Sequence, residues 1–180
     1  MKRNLTRYLI AFFALFAATL LAAEPERKPA ATTVIIVRHA EKATDGGSDP
    51  HLSDAGKLRA GRLTAVLRDT HVGAIYVTQF KRTRETAEPS AIAFKAPIAA
   101  VNVDWKDITG YVARLAKEIR DRHAGETVLV VSHSNTVPQI VEALAAVKVT
   151  DIRDDEYSRL YIVTIPATGH PSVVAAQYGY

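Results

Sequence analysis

Beyond residue 32 the chain alternates short, uninterrupted apolar runs with stretches whose apolar residues recur every three or four positions. The runs Thr33–Val37, Ala74–Val77, Ile98–Val101 and Val128–Val131 have the length and β-branched content of strands buried on both faces. Between them, Ile108, Tyr111, Val112, Leu115 and Ile119 trace one helical stripe, stopped by Ala124-Gly125. Leu58, Leu63, Val66 and Leu67 mark a helix across Asp54–Arg68, and Val137, Ile140, Val141 and Leu144 mark another with Pro138 in its first turn. Strands alternating with helices predict an α/β fold: a mostly parallel sheet between helical layers, a three-layer αβα sandwich. The last two apolar runs, Arg159–Ile165 and Ser172–Tyr178, are joined by PATGHP with no helical pattern between them. They predict a terminal hairpin that gives the sheet an antiparallel edge. No internal repeat or second domain is visible.

The N-terminal 23 residues follow a different pattern. Lys2, Arg3 and Arg7 precede an uncharged, mostly apolar run of 14 residues, Tyr8–Leu21. That is short of the roughly 20 residues that span a bilayer, so the segment predicts a secretory signal peptide, residues 1–23, and a periplasmic or secreted protein. A cut after Ala23 puts Leu21 at the −3 position, where a small side chain is preferred; a retained membrane anchor is the alternative reading. Residues 24–32, with two prolines and four charges, read as a linker, and residues 33–180 as one domain.

Composition narrows the partners. The chain has 23 Lys plus Arg against 19 Asp plus Glu, but three of the basic residues lie in the first 23 positions; without them the balance is 20 against 19. Such a domain has no electrostatic case for nucleic acid or an acidic membrane surface. With no cysteine, disulfides and thiolate chemistry are excluded.

Candidate chemistry lies just beyond the predicted strands. VIIVRHAEK ends the first strand in Arg38-His39, GAIYVT is followed by QFKRTRETAE, and TVLVV by SHSNTVP. Each places a cationic or imidazole side chain at the carboxyl end of a strand and near a helix start, where ligands of open α/β sheets bind and free N–H groups favour anions. The Arg38-His39 string, the Arg82-Thr83-Arg84-Glu85-Thr86-Ala87 string and the Val131-Ser132-His133-Ser134-Asn135-Thr136 string, in this order, resemble the histidine phosphatase superfamily, also called phosphoglycerate-mutase-like. The resemblance covers roughly residues 33–180 and is closest to its short phosphatase branch; Asp49-Pro50-His51-Leu52-Ser53 and Gly56 are similar too. Ala40 stands where the family usually has Gly.

The resemblance implies a phosphoglycerate-mutase-like fold and hydrolysis of a phosphomonoester through a phosphohistidine, with no cofactor and no metal. It implies His39 as phosphoryl acceptor and Arg38, Arg82 and His133 as the phosphate-binding pocket. Charge alone does not choose among Lys81, Arg82 and Arg84; the family's Arg-x-x-x-Thr-Ala spacing selects Arg82. The residue types suit the chemistry, because arginine forks match phosphate oxygens and a neutral imidazole can attack phosphorus. The proton donor to the leaving oxygen is the weakest assignment. Some relatives carry an Asp directly after the second His, where this chain has Ser134. Asp104 is then the first choice, Asp107 the second and Glu41 the third, against the competing reading that an Asp before a helix is a cap or turn residue. His71 and His123 read as structural residues near helix ends, His170 as a loop residue, and His51 as a residue of the pocket mouth.

The leading function is a phosphomonoesterase for a small phosphorylated substrate in the periplasm. A noncatalytic phosphate-binding module and a protein phosphohistidine phosphatase are the alternatives. A metallohydrolase built on His39, Asp49, His51 and His133 lacks any tight ligand spacing. Membrane association is expected only if the signal segment is retained.

Overall fold

A computed structural model describes residues 30–44 and 47–179. The expected signal peptide and all of the linker before Ala30 lie outside the described residues. Strand β1, Thr32–Arg38, therefore begins one residue inside the expected linker, because Thr32 Oγ1 already ties it to the His123 carbonyl.

The sheet has the order β3-β2-β4-β1-β5-β6. Strands β2 (Val72–Val77), β3 (Ile98–Ala100) and β4 (Thr127–Ser132) run parallel to β1, while β5 (Arg159–Ile165) is antiparallel to β1 and to β6 (Ser172–Gln177). Helices α1 (Asp54–Leu67) and α2 (Lys81–Phe94) cover one face; α3 (Ile108–Arg122) and α4 (Val137–Ala145) cover the other. The period of two in β1 sends Val34 and Ile36 into the α3/α4 core and Ile35 and Val37 into the α1/α2 core, which is why the strand reads as one continuous apolar run.

One detail differs from the expected pattern. In α1 the buried stripe is Gly56, Ala60, Leu63 and Leu67, while Leu58 and Val66 face solvent. Small residues win this face because α1 lies against the backbone that follows β1: a Cβ at Gly56 would stand 2.2 Å from the Glu41 carbonyl oxygen. Helix α2 runs through Pro89 to Phe94 and closes on Lys95 in the left-handed conformation.

Connections place the site. From β1 the chain leaves through α1 towards β2 on one side, and from β4 it leaves through α4 towards β5 on the other, so neighbouring strands β1 and β4 diverge at their carboxyl ends. That divergence opens a crevice at the top of the sheet.

Candidate active site

Arg38, the last residue of β1, pairs in register with Ser132, the last of β4. The next residues, His39 and His133, thus meet in the crevice, with ring centroids 5.3 Å apart at 68°. His39 N–H donates to the Ser132 carbonyl and Ala40 N–H to Thr86 Oγ1, which itself donates to the Arg82 carbonyl. One threonine of α2 therefore ties the segment after β1 to the helix that carries Arg82.

The ring of His39 has a defined polarity. Nδ1 lies 2.8 Å from the Ala40 carbonyl oxygen, which can only accept, so Nδ1 holds the proton and Nε2 the lone pair. Burial, followed by the charges of Arg82, Arg38 and Lys42, lowers its pKa to about 4 against the Ala40 hydrogen bond that raises it. His39 is thus a neutral imidazole at physiological pH.

His133 is oriented by hydroxyls. Thr136 Oγ1 accepts from its backbone N–H, and Thr78 Oγ1 lies 3.0 Å from Nε2. Thr83 donates to the Phe80 carbonyl at 2.8 Å, so Thr78 spends its proton on Thr83 and accepts from Nε2–H of His133. Burial and the nearby His39, Arg82 and Arg38 lower the pKa of His133 far below its ordinary 6.5.

The two arginines approach from different elements. Arg38 spends Nη1 on the carbonyls of Arg153, Asp154 and Glu156, pinning the α4–β5 loop over the pocket, and its guanidinium lies 4.1 Å from the centre of the Tyr157 ring. Its Nε–H is buried and finds no acceptor among the described residues, an arrangement that costs free energy until an oxygen arrives. Arg82, in the first turn of α2, is 12% exposed at its side chain, lies over the Phe80 ring at 4.3 Å and faces Asp49 at 3.7 Å. Asp49 also accepts from Lys81 N–H, completing an α2 N-terminus that has no cap of its own. Arg84 is exposed.

The three carboxylates considered for the leaving oxygen are each engaged within the protein. Asp104 is exposed, and its Oδ1 accepts from Lys106 N–H at 2.9 Å in the β3–α3 loop. Asp107 caps α3 by accepting from Gly110 N–H, and Glu41 is gripped by the Arg59 guanidinium at 2.7–2.9 Å. His51, expected at the pocket mouth, pairs instead with Glu85 and lines a cleft of about 370 Å³ with Lys57, Glu88 and Pro89, between α1 and α2. His123 caps α3 and joins Tyr76 to Glu126; His71 is a turn residue with φ 51°. Among the described residues no three His, Asp or Glu side chains gather as a metal-binding group.

Sequence reasoning missed Thr78, Thr83, Phe80, Trp105 and Tyr157. None has a local signal, because Thr83 reaches the site from the first turn of α2 and the others from loops or the α2 cap, all placed by the assembled sheet. Thr86 alone was visible, through its spacing from Arg82.

The sequence model of the histidine phosphatase superfamily (branch 1) matches residues 34–104, the segment that carries Arg38, His39 and Arg82. Over that segment the chain is similar to the histidine phosphatase superfamily. No curated protein matches it by sequence. Among solved structures, the fold is shared with YhfR of Bacillus stearothermophilus: 22% identity, 80% of this chain and 96% of that one, TM-score 0.63. The protein histidine phosphatase SixA, solved with tungstate, is similar at 22% identity over 81% of this chain and 96% of its own, TM-score 0.63. A phosphoglycerate mutase from Bacillus anthracis is similar at 16% identity over 84% and 95%, TM-score 0.65. At these identities the likeness to solved structures speaks for the fold.

Proposed function

We propose that the chain is a phosphomonoester hydrolase for small phosphorylated substrates, acting through a phosphohistidine at His39. The observation that carries this is the His39 ring itself: Nδ1–H is fixed on the Ala40 carbonyl, and burial beside two arginines keeps the Nε2 lone pair free. Nε2 attacks phosphorus, the ester P–O bond breaks and its electron pair leaves on the alcohol oxygen. Water then attacks the phosphohistidine, and orthophosphate departs with His39 restored. Arg38 through Nε and Arg82 stabilise the charge on the transferring group, and His133 joins them through Nδ1 once the bound dianion draws a second proton onto its ring, with no metal in the scheme.

The proton for the leaving oxygen is the open role, and Asp104 remains its first candidate. Because Asp104, Asp107 and Glu41 are each engaged within the protein, substrates whose leaving group needs little protonation fit best. That observation also favours a second reading, cleavage of a phosphohistidine P–N bond, the substrate named for SixA. The basic and apolar N-terminal segment supports action in the periplasm, where a free metabolite is the more accessible substrate.

The test is rapid quench of the purified protein with radiolabelled p-nitrophenyl phosphate in the presence of a chelator. An acid-labile, alkali-stable phosphoprotein is expected in wild type and in His71→Ala, and none in His39→Ala. Label on the His39→Ala protein, or label that needs a divalent ion, overturns the mechanism.

A further inference from the structure

Rings lead outward from the nucleophile. His133 lies 5.3 Å from His39, and on its other side it meets Phe80 edge-on at 5.4 Å and Trp105 at 5.0 Å. Phe80 and Trp105 stack on each other at 5.8 Å and 28°, and the Phe80 ring also carries the Arg82 guanidinium. Trp105 is 45% exposed. A lone exposed tryptophan needs no explanation, but this one ends a continuous aromatic path from the phosphoryl pocket to solvent.

Its position is also rigidly built. Gln79 clips the Trp105 loop from both sides, accepting from Val103 N–H and donating to the Val103 carbonyl, each at 2.9 Å. Asp104 Oδ1 accepts from Lys106 N–H, and the Asp104 carbonyl from Asp107 N–H at 3.0 Å, so the indole sits inside a closed turn. Asp107 then starts α3. Four hydrogen bonds hold a half-exposed ring at the mouth of an anion pocket, an arrangement that lowers the ordering cost of binding against it.

We propose that Trp105 is the platform for the alcohol portion of the substrate, and that the preferred substrates are phosphomonoesters whose alcohol presents a flat ring face, either an aryl ring or the C–H face of a pyranose. The proposal rests on the reading that Arg38, His39, Arg82 and His133 hold the phosphoryl group, since that places the ester oxygen beside His133 and the next group beyond it against the indole. Tryptophan suits the task because its large face binds rings by dispersion and quadrupole contact without fixing one hydrogen-bond pattern. Gln79 is a positioning residue for it.

Trp105 is the only tryptophan in the chain, so its fluorescence reports the platform directly. The experiment titrates wild type with benzylphosphonate and methylphosphonate, and with glucose 6-phosphate and glycerol 1-phosphate, following both fluorescence and competitive inhibition of p-nitrophenyl phosphate hydrolysis. The ring-bearing member of a pair should bind about tenfold tighter and shift the Trp105 emission. The ratio should fall towards one in Trp105→Ala and be retained in Trp105→Phe, with folding of each variant checked by circular dichroism. A gain confined to benzylphosphonate identifies an aryl alcohol, and a gain with glucose 6-phosphate a pyranose. A ratio unchanged in Trp105→Ala, or no preference in wild type, overturns the platform. Failure of the catalytic reading would show separately, as absent hydrolysis and phosphoenzyme while the phosphonates still bind.

Discussion

Arg82 and Arg84 are two residues apart on α2, roughly 200° around the helix from each other, and this separates their roles. Arg82 turns into the crevice beside Asp49 and Phe80; Arg84 turns to solvent. Arg82→Ala should therefore lower kcat/KM for p-nitrophenyl phosphate by about 10²–10³, the usual cost of removing one positioned charge stabiliser, whereas Arg84→Ala should stay close to wild type. Steady-state kinetics of the two variants decide it, and equal losses would mean that α2 contributes general positive potential only. The sequence singled out Arg38, His39 and His133 because they lie at strand ends, and Arg82 through the spacing it shares with the family it resembles; the structure brings the His39 and His133 rings together and the charges of both arginines to bear on His39. What was not legible is how they are held. Thr78 and Thr83 set the tautomer of His133 through hydroxyl protons, and Tyr157 covers Arg38 from a loop more than a hundred positions downstream. Such contacts arise from chain crossings that no local pattern encodes.

Elements were read well where one residue period dominated, and less well where backbone approach set the packing. The α3 and α4 stripes match their buried faces because those helices pack on the sheet through large side chains. In α1, backbone approach selected Gly56 and Ala60, turning Leu58 and Val66 outward. The β3–α3 loop has a different difficulty: an acidic residue before a helix looks alike whether it serves chemistry or geometry. Substitution separates the two for Asp104. Asparagine keeps an oxygen that accepts from Lys106 N–H but cannot serve as a carboxylic acid; alanine loses both. If the side chain holds the Trp105 turn, Asp104→Asn should behave like wild type on p-nitrophenyl phosphate and on glycerol 1-phosphate, while Asp104→Ala weakens binding of ring-bearing ligands several-fold. If it protonates the leaving oxygen, Asp104→Asn should lose far more on glycerol 1-phosphate, whose alkoxide leaves poorly unaided. Measuring kcat/KM for both variants on both esters distinguishes the roles.

At the scale of the whole molecule, folding buries two histidines and two arginines in one crevice between β1 and β4, so the site sets how stability responds to pH. His39 has a folded pKa of about 4 against an ordinary 6.5, chiefly because burial disfavours its charged form. As pH falls below 6.5 the unfolded chain takes up a proton that the folded chain refuses, so this contribution is present in full above 6.5 and lost progressively towards pH 4. The gap corresponds to roughly 3 kcal/mol at its acid end, and His133, lowered in the same direction, extends the loss to still lower pH. The melting temperature should accordingly decline from pH 6.5 to pH 4 more steeply than in a His39→Asn variant. Sulfate tests the origin of the effect, because it remains a dianion throughout this range. Bound between Arg38, Arg82 and the two rings, it would favour their protonated forms and stabilise only the folded state. Sulfate should therefore flatten the decline in wild type relative to chloride at equal ionic strength. In Arg82→Ala, where the anion loses a principal partner, only the general salting effect common to both proteins should remain. Thermal melts at a series of pH values provide the measurement, and a decline that sulfate leaves untouched in wild type would place the acid sensitivity outside this crevice.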